Sequence, residues 1–141
     1  MVLAACGSDT LGPHSVPLRL EGSIGKSTLR LGDTTSVVFR LRNVGQDTLA
    51  LNFGSSCHVL PYISTPSGEV VYPDGGWWGC LAVLTSLTLA PGAERVTSVL
   101  IRAGADGTHS EVPLPPGQYQ VYARLQGAFP IQSASISLRV E

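Results

Sequence analysis

The chain has 141 residues, the length of one domain with one modest hydrophobic core. Apolar residues make up 43% of it and charged residues 13%, and the formal net charge is −1. This near neutrality excludes the basic surface of a nucleic-acid-binding protein, so we expect no nucleic-acid partner. No apolar stretch approaches the roughly 18 residues that a membrane-spanning helix requires.

The first chemical signal is Cys6, in the sequence "LAACG". It resembles the lipobox of bacterial lipoproteins, in which the signal is cut before a cysteine whose thiol carries a diacylglyceryl group. The resemblance implies lipid attachment at Cys6 and a place on the periplasmic or extracellular side of a bacterial membrane. It divides the chain into a lipobox-like N-terminus with a polar tether, residues 1–14, and a folded domain, residues 15–141. A signal needs basic and apolar segments that five residues cannot supply, so we expect it to begin upstream of Met1. The alternative is that Cys6 is an ordinary small apolar residue.

Period-two alternation of apolar and polar residues predicts strands along most of the remaining chain. The strongest patterns cover residues 36–43, 48–53, 119–126 and 132–140, and weaker ones lie near residues 16–20, 59–64, 69–72, 85–90 and 95–102. The one helix candidate, "CLAVLTSLTLA", is predicted to be a loop followed by a strand, because its second half alternates. Seven to nine short strands with one apolar face each predict an all-β, antiparallel immunoglobulin-like β-sandwich. "GSIGKST" lacks the first glycine and the helix of a phosphate-binding loop, so we interpret it as a surface loop.

Four motifs resemble a known module. "VVFRLRNVGQDTLALNF" is similar to the paired strands B and C of bacterial immunoglobulin-like domains, and "LTLAPGAERV" and "PPGQYQVYARL" are similar to two of their turn-to-strand segments. With "YPDGGWW" between them, the order resembles the BsuPI-type domain, named for an intracellular proteinase inhibitor of Bacillus. The resemblance covers about residues 30–126 and concerns turns and core positions. It implies the fold first, and proteinase inhibition as one function.

Cys57 and Cys80 lie in loop-like surroundings between the predicted strands. A disulfide between them would close a loop of about 24 residues and stabilise the domain by about 3.5 kcal/mol in the chain-entropy model. It would also indicate an oxidising compartment. The alternatives are two free buried thiols, or a nucleophile pair of Cys57 and His58. Adjacent residues on an extended chain point apart, which disfavours the pair, and we predict the disulfide.

Two loops are candidates for partner binding. In "PDGGWWGC" Trp77 and Trp78 cannot both face inward, so we expect one to fill the core or cover the disulfide and the other to be exposed as a binding residue. The alternative is that both lie flat over the end of the sandwich. Residues 103–117 form a long connection without a strand pattern, whose extended "VPLPP" half suits pairing with a partner. Its candidate contact residues are His109, Val112, Pro113 and Leu114.

No constellation of catalytic residues stands out. His14, His58 and His109 are far apart at no metal-ligand spacing, and we interpret them as solvated loop residues. Tyr119 should be buried, with its hydroxyl bonded to the backbone, whereas Tyr122 should lie on the outer face. We therefore predict a non-enzymatic protein-interaction module without cofactor, metal or small-molecule substrate. It would be a lipid-anchored accessory subunit of a membrane or envelope complex. A BsuPI-type proteinase inhibitor is the alternative.

Overall fold

Strands account for most of the regular structure in the computed structural model, which describes residues 17–106, 110–127 and 131–141. No α-helix occurs in these ranges, and a short 3-10 turn spans Asp74–Gly76. The strands are β1 Leu18–Ile24, β2 Thr28–Leu29, β3 Thr34–Asn43, β4 Leu49–Phe53, β5 Val59–Ser64, β6 Val70–Tyr72, β7 Thr85–Leu89, β8 Glu94–Ala103, β9 Glu111–Leu114, β10 Gly117–Leu125, β11 Ile131–Gln132 and β12 Ile136–Val140.

Two sheets enclose the hydrophobic core. Sheet I has the strand order β1-β3-β8-β9, and sheet II has the order β2-β12-β10-β5-β6, with β11 paired to β10. Phe39 and Ile101 from sheet I pack in one cluster with Ile63, Val121 and Leu138 from sheet II. The period-two patterns supply these residues, because alternate side chains of a strand point to the same face. The predicted all-β, largely antiparallel sandwich is confirmed. The described residues form twelve strands rather than the expected seven to nine, and two pairs, β2 with β12 and β8 with β9, are parallel.

The predicted pairing of the segments that became β3 and β4 is wrong. β3 pairs with β1 and β8, whereas β4 pairs with β7 in a separate two-stranded sheet. The pairing of β3 with β8 stops at Arg42 and Glu94, where the turns at residues 44–48 and 90–93 intervene, and beyond these turns β4 pairs with β7. The Asn-x-Gly sequence therefore marks a change of direction rather than a hairpin.

A fully buried asparagine holds this interruption together. The Asn43 side-chain amide donates hydrogen bonds to the carbonyls of Asp47 (2.8 Å) and Leu89 (2.9 Å), and its oxygen accepts one from the Gly45 amide (2.9 Å). The Asn43 backbone also bonds to Gly92 and Ala93 across the ladder. One side chain thus satisfies backbone groups that the two turns would otherwise leave unpaired. We call Asn43 with these two turns the Asn43 corner.

Residues 103–117 are not a strandless connection. Glu111–Leu114 forms β9, which pairs in parallel with β8 at the edge of sheet I. The extended "VPLPP" segment thus pairs within its own chain. Leu114 is buried with 2% exposure and Val112 is half-buried against the core, whereas Pro113 is exposed. Leu114 is therefore a core residue rather than the partner contact that we expected.

The two tyrosines of β10 are both buried. Tyr119 faces the core, and its hydroxyl donates a 2.6 Å hydrogen bond to the Pro115 carbonyl, as predicted. Tyr122 lies on the opposite face, as its register requires, but it is only 8% exposed. It stacks on Tyr62 at a centroid distance of 5.5 Å, with the Arg124 guanidinium over both rings. Tyr122 thus lies on the predicted outer face, but it is buried there because this face has its own aromatic layer.

Within "GSIGKST", residues 22–24 form the end of β1, and Thr28 begins β2, which continues into Leu29 and pairs in parallel with β12. Leu29 is fully buried. Only residues 25–27 form a loop, so the surface-loop interpretation was wrong for the two ends of the segment, and no helix follows it.

Candidate interaction surface

An uncharged segment of ten residues, 75–84, starts within the 3-10 turn at Asp74–Gly76 and leads to β7. It begins at Gly75 and Gly76, whose φ angles of 77° and 84° lie in the left-handed region that favours glycine. These two residues reverse the chain and direct it outward into Trp77. The segment then runs through Cys80 to Leu84 without a regular element.

A disulfide and hydrogen bonds fix the middle of this segment. Cys57 and Cys80 are bonded, with their Cα atoms 5.7 Å apart, which confirms the predicted disulfide. Beside it, Ser56 and Leu81 exchange two hydrogen bonds of 2.9 Å, from the Ser56 amide to the Leu81 carbonyl and from the Leu81 amide to the Ser56 hydroxyl. The Val83 amide donates to the Leu81 carbonyl at 2.9 Å. The segment is therefore held in one backbone conformation although it lies on the surface.

The two tryptophans have different environments. The Trp78 indole N–H donates a 3.1 Å hydrogen bond to the Pro61 carbonyl of β5, and its ring meets Tyr72 edge-on at 5.4 Å. Because the short β6 does not extend alongside Pro61, Trp78 takes the place of a missing ladder partner. Trp77 is 74% exposed. The prediction that the pair divides into a packed and an exposed residue is confirmed, but Trp78 is half-buried at a sheet edge and does not fill the core.

Large apolar side chains remain exposed along this fixed segment. Their exposed fractions are 74% for Trp77, 68% for Leu81, 48% for Val83 and 90% for Leu84. We call residues 77–84 the apolar loop. Single exposed apolar residues are ordinary on a protein surface, but four within eight residues and without an intervening charge are typical of a binding surface. Sequence reasoning identified Trp77 and missed Leu81, Val83 and Leu84, because the β-like pattern near them gives no sign of exposure.

A groove of about 290 Å³ lies beside the apolar loop, between the start of β5 and the start of β8. Its lining includes Cys57 and Trp78 together with Arg95 and Thr97 of β8. Arg95 and Thr97 occupy core-facing positions of β8, opposite Leu41 and Phe39 of β3. Further along β8 the core-facing residues are apolar and buried. The sandwich is thus open at this end of β8, and two polar side chains stand where core residues would otherwise be.

His58 also lines the groove and is not the solvated residue that we expected. Its ring stacks on Phe53 at 4.1 Å, and its Nε2 lies 2.9 Å from the Thr85 hydroxyl. That hydroxyl donates its only proton to the Ser55 carbonyl, so Nε2 is the protonated nitrogen of the neutral ring. Burial, and secondly repulsion from Arg95, hold the His58 pKa below its ordinary value. Because the Cys57 sulfur is in a disulfide, the two residues do not form a nucleophile pair.

The remaining predicted site residues are not brought to this surface. Cys6, His14 and His109 lie outside the described residues, as does the tether at residues 1–14. Pro113 belongs to β9 at the edge of sheet I. Among the residues that the structure describes, no group of three histidine, cysteine, aspartate or glutamate side chains could hold a metal ion. Within the same ranges, no helix has the length and apolar character to cross a membrane.

Sequence comparison finds neither a protein family nor a curated protein that matches this chain. Solved structures do match. The C-terminal domain of Wzt gives a TM-score of 0.52 at 15% identity, covering 90% of this chain and 75% of that one. The CARDB domain of the PF1109 protein from Pyrococcus furiosus, solved in complex with di-metal ions, gives 0.50 at 14%, covering 88% and 87%. Spo0M, a sporulation control protein from Bacillus subtilis, gives 0.50 at 12%, covering 89% and 49%. At these identities the likeness shows the fold alone: an immunoglobulin-like β-sandwich.

Proposed function

We propose that this protein is a non-enzymatic interaction module that binds a protein partner through its apolar loop. The observation that carries the proposal is the exposure of Trp77, Leu81, Val83 and Leu84 on a backbone fixed by a disulfide. These four side chains lie outside the core, and the backbone that carries them is nevertheless fixed.

The rigidity of the loop favours tight binding. A flexible loop loses conformational entropy when it binds, and a loop already fixed by Cys57–Cys80 and the Ser56–Leu81 hydrogen bonds loses less. Trp77 is the natural centre of the contact, because tryptophan is enriched among the few residues that dominate interface energies. The aliphatic residues would exclude water around it.

The proposed location is the outer side of a bacterial membrane. The disulfide is typical of proteins in oxidising compartments such as the periplasm or the cell exterior. The "LAACG" sequence supplies Cys6 as the site of a lipid anchor, with the following polar residues as its tether. One acyl chain anchors a protein only marginally, so a multi-chain lipid on Cys6 would provide stable retention. An accessory subunit of a membrane or envelope complex fits this placement.

Affinity purification from solubilised native membranes tests the proposal. Tagged protein, expressed with a complete signal, should retain a fixed partner in defined stoichiometry. The double variant Leu81→Ser/Leu84→Ser should lose that partner, whereas Leu31→Ser, which alters an equally exposed residue outside the loop, should keep it. Cys6→Ser should move the protein to the soluble fraction. Equal retention of the partner by the wild type and the loop double variant would overturn the proposal.

Proteinase inhibition is a second candidate, because a disulfide-fixed exposed loop is also what an inhibitor inserts into a protease cleft. The two functions differ in what the isolated domain does. An inhibitor added as the pure domain should reduce proteolysis by itself, and Trp77→Ala should abolish the effect. A subunit should have no such effect while retaining its partner on purification.

A further inference from the structure

The groove beside the apolar loop carries an unbalanced positive charge. Arg95 is exposed at its rim and forms no ion pair within residues 17–106, 110–127 and 131–141. Arg40 and Arg102 of sheet I have partners, 3.5 Å from Glu94 and 3.6 Å from Glu111. Arg19 and Arg42 form no ion pair among the described residues either, but they lie on the outer face of the sheet and not in this groove. None of the groove-lining residues is acidic. The charge of Arg95 is therefore directed into a concave surface that offers it no counter-charge.

The rest of the groove suits a small planar anion with an apolar stem. The Thr97 hydroxyl stands two residues from Arg95 on the same face of β8, and both line the groove. Trp78 and Cys57, whose sulfur is in the disulfide, also line the groove and supply apolar surface. A guanidinium matches a carboxylate because it can donate two parallel hydrogen bonds to the two oxygens. The volume of about 290 Å³ lies just below the roughly 300–1,000 Å³ of small-molecule pockets and suits one side chain.

We propose that this groove binds the carboxylate of an aspartate or glutamate side chain of the partner that docks on the apolar loop. Arg95 is the carboxylate-binding residue, Thr97 donates a further hydrogen bond, and Trp78 packs against the stem of the acidic side chain. The inference rests on the proposed function, which supplies the partner protein that carries the acidic side chain. The groove adjoins the loop directly, because its residues Trp78 and Cys57 are bonded to Trp77 and Cys80.

The recognition would combine two kinds of contact on one surface. The apolar loop provides affinity through burial of exposed area, and the groove provides selectivity for a partner with an acidic residue next to an apolar segment. A partner lacking the acid would leave Arg95 partly desolvated without compensation, which disfavours binding.

A ligand titration followed by NMR tests this groove without the partner. The probe is N-acetyl-glutamate amide, and its uncharged isostere N-acetyl-glutamine amide is the control. The carboxylate probe should shift the resonances of the Trp78 indole N–H and the His58 ring and should raise the His58 pKa, because a bound anion offsets Arg95. Arg95→Gln should weaken binding of this probe about tenfold or more, the loss expected for a charge-assisted hydrogen bond. Arg19→Gln, which removes an exposed arginine on the outer face of sheet I, should bind as the wild type does.

Two outcomes would overturn the inference: equal shifts with the glutamine amide, or unchanged binding by Arg95→Gln in a protein whose melting temperature matches the wild type. Neither outcome would bear on the proposed role of the apolar loop, because partner retention by the Leu81→Ser/Leu84→Ser variant is measured separately. The reverse combination is also informative. If the groove binds the carboxylate but the double variant keeps the partner, the groove is a binding site and the apolar loop has no part in the proposed function.

Discussion

The Asn43 corner and the apolar loop both depart from the usual burial of apolar and exposure of polar side chains, in opposite directions. Asn43 is a polar side chain with no exposure, and Leu84 is an apolar side chain with 90% exposure. In both places hydrogen bonds other than regular strand pairing fix the neighbouring turn or loop backbone. At the corner the fixed backbone buries the side chain that holds it, so the arrangement stabilises the fold. In the loop the fixed backbone presents side chains that lie outside the core, which is the basis of the proposed contact with a partner.

Tyr119 and Trp77 should differ most in their contribution to stability. Tyr119→Ala removes a buried aromatic ring and should lower the free energy of unfolding by about 3–5 kcal/mol. Tyr119→Phe removes only the hydroxyl bond to Pro115 and should cost about 1 kcal/mol. Urea unfolding monitored by fluorescence measures both. A loss as large in Trp77→Ala as in Tyr119→Ala would contradict the division between stabilising and presented aromatic residues.

Breaking the disulfide should act on the loop and on global stability together. Removal of Cys57–Cys80 should destabilise the domain by about 3.5 kcal/mol, because the unfolded chain regains the freedom of a loop of about 24 residues. The matched variant Cys57→Ser/Cys80→Ser leaves both residues polar and unreactive. Intact mass after alkylation should show two further labels only after reduction of the native protein. Labelling of both thiols without reduction would show that the bond does not form.

Loss of the Asn43 side-chain hydrogen-bond donors should destabilise the fold even when the shape of the side chain is kept. Asn43→Asp is isosteric but turns the amide donor to Asp47 and Leu89 into an acceptor in a fully buried place. Leaving such buried groups unpaired should cost about 2–3 kcal/mol. Asn52→Asp, at an exposed position of β4, is the control and should change stability little. Equal effects of the two substitutions would remove the special role of Asn43.

The strands could be read from the sequence because their apolar faces repeat every second residue, as Val37, Phe39 and Leu41 show. Their partners could not, since strand pairing joins distant segments: nothing near Leu49–Phe53 indicates that β4 pairs with β7 rather than with β3. β9 was missed because Pro113 interrupts its short pattern.

The alternation of side chains along an extended chain also made part of the candidate surface predictable. Adjacent residues on an extended chain face opposite ways, which separated Trp77 from Trp78 without saying which one was exposed. That choice depends on the free carbonyl of Pro61, a tertiary feature. Arg95 and Thr97 occupy core-facing positions of a correctly predicted strand, but only the structure shows that the sandwich is open above them.

The smallest expected effect is the pH dependence that comes from His58. Burial and Arg95 lower its pKa below the ordinary 6.5, so the unfolded state binds more protons between the two pKa values. The stabilising contribution of neutral His58 is therefore complete above about 6.5 and is lost as the pH falls through that value toward the folded-state pKa. His58→Gln should flatten this slope in urea titrations between pH 5 and 8. A slope unchanged in His58→Gln would assign it to other groups.

The most direct test of the account compares Trp77→Ala with Trp78→Ala, each measured for melting temperature and for affinity to the retained partner. Trp77→Ala should keep the wild-type melting temperature and weaken the complex by about 2 kcal/mol or more, as expected for an exposed hot-spot residue. Trp78→Ala should lower the melting temperature, because it removes the Pro61 hydrogen bond and the Tyr72 contact. A Trp77→Ala protein that melts early and binds normally would contradict the claim that the apolar loop serves a partner rather than the fold.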